Sequence, residues 1–324
     1  MSMIKIATIY EPIREELAAV EETLAAVGKA DPPWLADMLS SVLFAGGKRM
    51  RPAVALLAGR FGDYRRELSV PLAAALELLH TASLVHDDII DSAGTRRGRP
   101  TASSLFDNHA AVVLGDYIFA QAAVLVAQTG NAEVIRLFAQ TMIIMAEAEL
   151  AEDRVAFDYQ QTTADYMRRI KGKTAALFAV AAQGGALVAN ASREQTEALR
   201  SYGENLGMAF QIVDDILDFS GDEQEMGKPV GSDLMQGTLT LPSLILIERH
   251  PDDNPVRALF EERNRPDLLA QAIAMVRESE IIEESYRMAR DFGDRACAAV
   301  APLSEGTART ALEGLTDYVL ERRT

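Results

Sequence analysis

Cysteine is almost missing from this 324-residue chain, which has only Cys297. One thiol makes no internal disulfide and no cysteine zinc site, and Cys297 falls in an apolar, helix-patterned stretch where it serves as core filler. Basic residues are also in deficit: 32 Lys and Arg stand against 48 Asp and Glu, a formal net charge of −16. Nucleic-acid binding rests on a basic footprint, so the charge argues against that class of partner. Any anionic ligand needs a local group of cations or metal ions, because the overall field repels it. No uninterrupted apolar run reaches the roughly 18 residues of a membrane span. The first residues, MSMIKIATIYEPIREE, lack the basic, apolar, small-residue order of a signal peptide. These absences predict a cytoplasmic protein with no membrane span.

Hydrophobic residues make up 48% of the chain, enough for a sizeable core. They recur at intervals of three and four, Ala and Leu abound, and no segment alternates as a strand would. The expectation is an all-α protein, one domain over residues 1–324. Pro32 and Pro33 open a helix that stops at Gly46 and Gly47, Pro52 suits the first turn of the next, and Ser192 with Gln195 forms a capping-box signature. Three polar, glycine-rich segments interrupt the helices, at residues 45–51, 92–101 and 220–240. The last is long for a connection in a compact domain and reads as a binding loop.

Two acidic clusters share the form Asp-Asp-x-x-Asp: Asp87, Asp88 and Asp91, then Asp214, Asp215 and Asp218. On a helix the first and last carboxylates lie one turn apart on one face. Like charges crowded on an apolar helix are costly unless a cation neutralises them, and hard oxygen ligands suit Mg2+. Magnesium held by few carboxylates completes its shell with waters and phosphates, so two such clusters could clamp a diphosphate. Cations for the remaining phosphate oxygens are at hand. Lys48 and Arg51 flank a glycine-rich helix start, Arg96 and Arg97 follow the first cluster, Lys228 follows the second, and Lys173 precedes Thr174 beside Gly172.

These motifs together resemble the trans-isoprenyl diphosphate synthases, or polyprenyl synthetases. The resemblance rests on Gly46 to Pro52, His80 to Asp91 with Arg96-Arg97-Gly98, Lys173-Thr174, and Gln211 to Asp218 with Gly227-Lys228-Pro229, and it runs over nearly the whole chain. It implies the isoprenoid synthase fold, an antiparallel helix barrel around a deep central cavity, usually a homodimer, with the two aspartate motifs facing each other at the mouth. It implies Asp87, Asp91 and Asp214 as magnesium ligands, with Asp88, Asp215 and Asp218 as ligands or their support. Lys48, Arg51, His80 and Arg97 would hold isopentenyl diphosphate. Arg96, Lys173, Gln211 and Lys228 would hold an allylic diphosphate, with Thr174 nearby. His86 reads as structural. The implied reaction is elongation of the allylic diphosphate, with Asp87, Asp88, Asp91, Asp214, Lys173 and Arg96 stabilising the departing diphosphate.

Product length has its own signal. One helical turn rises ~5.4 Å, about one extended isoprene unit, so the helix before Asp87 works as a ruler. Short-chain relatives carry bulky aromatics four and five positions before the first Asp, where this chain has Ser83 and Ala82. A tail that passes this level, toward C30 to C50, is expected, stopping near Leu79, Leu76 or Phe138. Gly237-Thr238-Leu239-Thr240 stands where relatives often have Gly-Lys-x-Thr, and Ala148 precedes Glu149 where Gly is common. Alternatives are a farnesyl or geranylgeranyl diphosphate synthase, a class I terpene cyclase, or a non-catalytic subunit. Lys48, Arg51 and Arg97 argue against the cyclase, and two intact aspartate motifs argue against the subunit.

Overall fold

Helix boundaries follow the punctuation of the chain. The computed structural model describes residues 6–44, 46–96, 98–221, 229–263 and 265–322. A short turn, α1 (Ile6–Ile9), leads to α2 (Arg14–Val27), α3 (Pro33–Leu43) and α4 (Met50–Ala58). Arg49, in the left-handed region at φ 49°, turns the chain into α4. The long α5 (Arg66–Ile90) ends on the first acidic cluster. Thr95–Arg96 and Arg99–Pro100 then pair as a two-stranded antiparallel ribbon, the one sheet among the described residues and a small departure from the all-helical expectation. There follow α6 (Ala102–Leu105), α7 (Asn108–Ala127), α8 (Ala132–Arg154), α9 (Thr163–Ile170) and α10 (Ala176–Val188). The 28-residue α11 (Arg193–Ser220) starts at the Ser192–Gln195 capping box, as expected, and carries the second cluster near its end. Helices α12 (Ser232–Met235), α13 (Leu241–Arg249), α14 (Val256–Glu262), α15 (Pro266–Arg277), α16 (Ile281–Val300) and α17 (Thr307–Glu321) complete the fold.

Two apolar clusters form the interior. One joins α2 to α5, α7, α8, α10 and the first half of α11; the other joins α9, the second half of α11 and α13 to α16. Helix α11 spans both, so the carboxylates at its end are tied to the whole core. Small residues let the helices approach closely. A Cβ on Gly185 of α10 would lie 2.1 Å from the Ala55 carbonyl oxygen of α4, and one on Gly203 of α11 would lie 2.3 Å from that of Phe178 of α10. Neither backbone oxygen can yield cheaply.

Two helices, α5 and α7, are long and apolar enough to cross a membrane by length and composition, although neither is an uninterrupted apolar run. In α5, Glu77, His80 and the aspartates break the run, and most of its apolar stretch is buried inside the protein. Cys297 is half-buried on α16, less enclosed than expected.

Gly185→Ala tests the close packing. Overpacking of this kind costs about 1–3 kcal/mol, so the urea unfolding midpoint should fall with an unchanged slope. An unaltered midpoint would show that α4 and α10 can separate freely.

Candidate active site

Residues 233–240 of the third polar segment and parts of α5, α8, α9 and α11 line one cleft of about 300 Å³. Its walls include Asp91 beyond α5, Glu149, Glu152 and Asp153 of α8, Arg169 of α9, Gln211 and Asp215 of α11, and Asp233, Gln236, Thr238 and Thr240. Lys173 and Thr174 also face it, from a wide π-type turn at Lys171–Ala175 that joins α9 to α10. Such turns often mark functional sites because the extra residue re-aims its neighbours. The backbone at Gly172 passes close to α8, since a Cβ there would sit 2.9 Å from that of Ala148.

The first acidic cluster divides its work. Asp91 is exposed and lines the cleft. Asp87, one turn earlier and half-buried, has its carboxyl pushed up to about 7, chiefly by burial and then by the charge of Glu149, with Lys173 opposing and Asp91 adding. Asp88 is buried and accepts a hydrogen bond from Arg96 Nε at 2.5 Å, which anchors the ribbon to α5. Lys173 Nζ reaches Glu149 at 2.8 Å and Glu152 at 2.5 Å, tying the π-type turn to α8. Burial also raises the Glu149 carboxyl, against the pull of Lys173.

The members of the second cluster have different surroundings. Asp215, expected as a ligand or its support, is the member that lines the cleft. Tyr166 OH donates to its Oδ2 at 2.7 Å and Gln211 Nε2 to its Oδ1 at 2.8 Å, while Thr174 Oγ1 donates to Gln211 Oε1 at 2.6 Å. Burial holds the Asp215 carboxyl well above the usual carboxylate range, and Asp233 adds to this. Asp214, expected as a direct ligand, is exposed, and Arg322 donates to it at 3.1 Å. Asp218 is fully buried and accepts from Ser232 Oγ at 2.8 Å and the Asp233 N–H at 3.3 Å. That arrangement ties the start of α12 to α11.

Of the residues assigned to the second diphosphate, Lys48 and Arg51 lie at the start of α4 and His80 lies on α5. Arg51 stacks on Phe178 at 4.6 Å, Phe178 meets Phe210 at 5.4 Å, and Arg322 covers Phe210 at 4.6 Å. Lys48 sits 5.5 Å over the Tyr318 ring, and Tyr10 OH donates to its carbonyl oxygen at 2.7 Å. His80 is half-buried, one turn beyond Glu77. Between them, Arg49 binds Glu77 and Glu21, each at 2.6 Å, and fixes the loop that presents Lys48 and Arg51. Arg97 and Lys228 lie outside the described residues. His86 packs against α7: its Nε2 is 3.0 Å from the Val112 carbonyl oxygen, and Gly115 leaves room for the ring. Of the ruler residues, Leu76, Leu79, Ala82 and Phe138 are buried in the core, and Ser83 is partly accessible.

The donor set fits a hard divalent cation. Asp91, Glu149, Glu152, Asp153, Asp215 and Asp233 face one cleft, and among its described lining residues Lys173 and Arg169 are the cations that balance them. Among the described residues no three acids are gathered tightly enough to hold a metal ion by themselves.

A family model for polyprenyl synthetases matches residues 32–276. The chain belongs to the polyprenyl synthetase family. A heptaprenyl diphosphate synthase component 2 from Geobacillus stearothermophilus is 38% identical over 98% of this chain and 99% of its own. An octaprenyl diphosphate synthase from Haemophilus influenzae is 34% identical over 99% and 98%. Among solved structures, a polyprenyl synthase from Caulobacter crescentus in complex with calcium and isoprenyl diphosphate superposes with a TM-score of 0.94 at 31% identity, covering both chains fully. A decaprenyl diphosphate synthase from Rhodobacter capsulatus gives 0.91 at 35%, over 99% of this chain and 100% of its own. The protein therefore has the all-α isoprenoid synthase fold.

Motif reading missed Glu152, Asp153, Tyr166, Arg169, Asp233 and Arg322, and it noted Glu149 only as part of a variant pair. Glu149, Glu152 and Asp153 carried a signal, three acids at i, i+3 and i+4 on one helix face. Arg322 carried none, because its position depends on where α17 ends.

The Arg49 bridge is directly testable. Arg49→Ala leaves Glu77 buried without its cation and should cost about 3–5 kcal/mol in urea unfolding, most of it recovered in Arg49→Met with Glu77→Leu. A single variant within about 0.5 kcal/mol of the parent would show that the bridge does not hold the loop.

Proposed function

We propose that this polyprenyl synthetase lengthens an allylic diphosphate by sequential 1′-4 trans condensation with isopentenyl diphosphate, giving a polyprenyl diphosphate of C30 to C50. The observation that carries this reading is that one member of each acidic cluster, Asp91 and Asp215, lines the same cleft as Lys173, Thr174 and Gln211. In each cycle the allylic C–O bond breaks, the double bond of isopentenyl diphosphate attacks the freed carbon, and a proton and pyrophosphate leave. No protein nucleophile is required.

Asp87, Asp91 and Asp215 would hold Mg2+, with Asp88 and Asp218 fixing the segments around them and Asp214 joining when Arg322 releases it. Bound there, Mg2+ would supply Lewis-acid stabilisation of the leaving diphosphate. Lys173, Arg96, Gln211 and Lys228 would orient that diphosphate and balance its growing charge. Lys48, Arg51, His80 and Arg97 would hold isopentenyl diphosphate with its double bond toward the breaking bond. The departing pyrophosphate is the proposed base that takes the proton.

Long product is supported by small residues at Ala82 and Ser83 and by relatives named heptaprenyl, octaprenyl and decaprenyl synthases. A cytoplasmic homodimer is the proposed working form. Val112, Val113 and Val124 of α7 and Ile143 and Leu150 of α8 are each more than 40% exposed, an apolar face that a second copy would cover. A second reading, a catalytic subunit that needs a different partner chain, is favoured by the name component 2 on the Geobacillus relative.

Purified protein with Mg2+, labelled isopentenyl diphosphate and farnesyl diphosphate should yield C30 or longer products, and Asp91→Asn should lower kcat about 100-fold or more. No incorporation by the pure chain that returns on adding cell extract would establish the two-subunit reading. Ser83→Phe should shorten the product by one or more isoprene units, whereas an unchanged product ladder would remove the helix ruler.

A further inference from the structure

We infer that the Tyr166 hydroxyl is a positioning group for the substrate site, locking the Asp215 carboxylate in the orientation that receives a metal-bound diphosphate. This rests on the proposed function and extends it to a residue outside the acidic and basic motifs. Tyr166 is fully buried on α9, and its hydroxyl acts on the cleft through Asp215. Each carboxylate oxygen of Asp215 receives one donor, Oδ2 from Tyr166 at 2.7 Å and Oδ1 from Gln211 at 2.8 Å. A carboxylate offers about four lone-pair sites, so two donors on opposite oxygens stop its rotation and leave sites for a cation. Gln211 is itself oriented by Thr174 Oγ1 at 2.6 Å. The Tyr166 ring is braced in turn by Arg169, 5.6 Å over its face, whose guanidinium donates to the Leu239 carbonyl oxygen at 2.5 Å. Thus α9, the π-type turn, α11 and the loop before α13 all converge on one side chain.

A buried tyrosine need not bond to a carboxylate. Tyr202, equally buried and on α11 itself, gives its hydroxyl proton to the Leu312 carbonyl oxygen at 2.6 Å, away from the cleft. The fold can therefore satisfy a buried phenol with backbone alone, and Tyr202 is the control for a purely structural role.

The test is calorimetric binding of inorganic pyrophosphate with Mg2+ to the full chain, compared among the parent, Tyr166→Phe and Tyr202→Phe. Tyr166→Phe should weaken this binding about tenfold, the scale of one lost hydrogen bond to a charged group. Its KM for isopentenyl diphosphate should stay within about twofold, and Tyr202→Phe should bind pyrophosphate as the parent does. Parent-like binding by Tyr166→Phe, or an equal loss in Tyr202→Phe, would overturn the positioning role alone. A parent protein that binds no pyrophosphate would instead bring down the reading of the site on which this role depends. Should Tyr166→Phe fail to fold, Thr174→Val probes the far end of the same chain of bonds: a smaller loss in the same direction supports the role, and no loss overturns it.

Discussion

Negative charge held inside apolar helices is the constraint on which the site depends. A carboxylate that loses water must find a cation, a set of donors or a proton. Each of these solutions is present around one cleft. Asp88 takes a cation, Arg96; Asp218 takes donors, Ser232 and the Asp233 N–H; Asp87 and Asp215 are left with carboxyls raised by burial. Lys173 is shared between two glutamates and cannot fully serve either. A cleft with that balance favours a divalent cation carrying an anionic ligand, whatever the charge of the rest of the protein.

Holding such a cleft together against its own repulsion requires a rigid wall, and close helix packing through small residues supplies it. Gly185 and Gly203 bring α4, α10 and α11 into backbone contact, so the aspartates on α11 cannot drift apart to relieve their repulsion. Stability lost in the carboxylates is offset by packing elsewhere, through the two apolar clusters that α11 joins. Sequence, packing and electrostatics are coupled here. The same Ala and Gly content that marks the chain as helical also allows the close approach that fixes the site.

Much of this architecture is legible in the residues themselves. Periodicity marks the helices, the Ser192 capping box marks the start of α11, and the repeated Asp-Asp-x-x-Asp marks both acidic clusters. Helical spacing alone, however, does not say which member of a cluster faces the cleft. Asp214 and Asp218 share a face by spacing, yet one meets Arg322 from the end of the chain and the other is buried under α12. Asp215 turns to the cleft because Tyr166 and Gln211 hold it there, and Tyr166 lies 49 residues away in sequence. Long-range partners decide orientation, and a single sequence does not encode them locally.

The division of labour between the two clusters follows from this. The first sits at a helix end, where Asp91 follows the last turn of α5 and is exposed. The second sits within a helix, and its cleft-facing member is clamped on both oxygens. Under the proposed function, one exposed and one clamped set of carboxylates would together hold a diphosphate that must enter, lose its carbon chain and leave at every cycle. The clamped wall would set where the breaking bond lies, and the exposed one would let pyrophosphate go. Two rigid walls would hold the product, and two mobile ones would misplace the bond between additions.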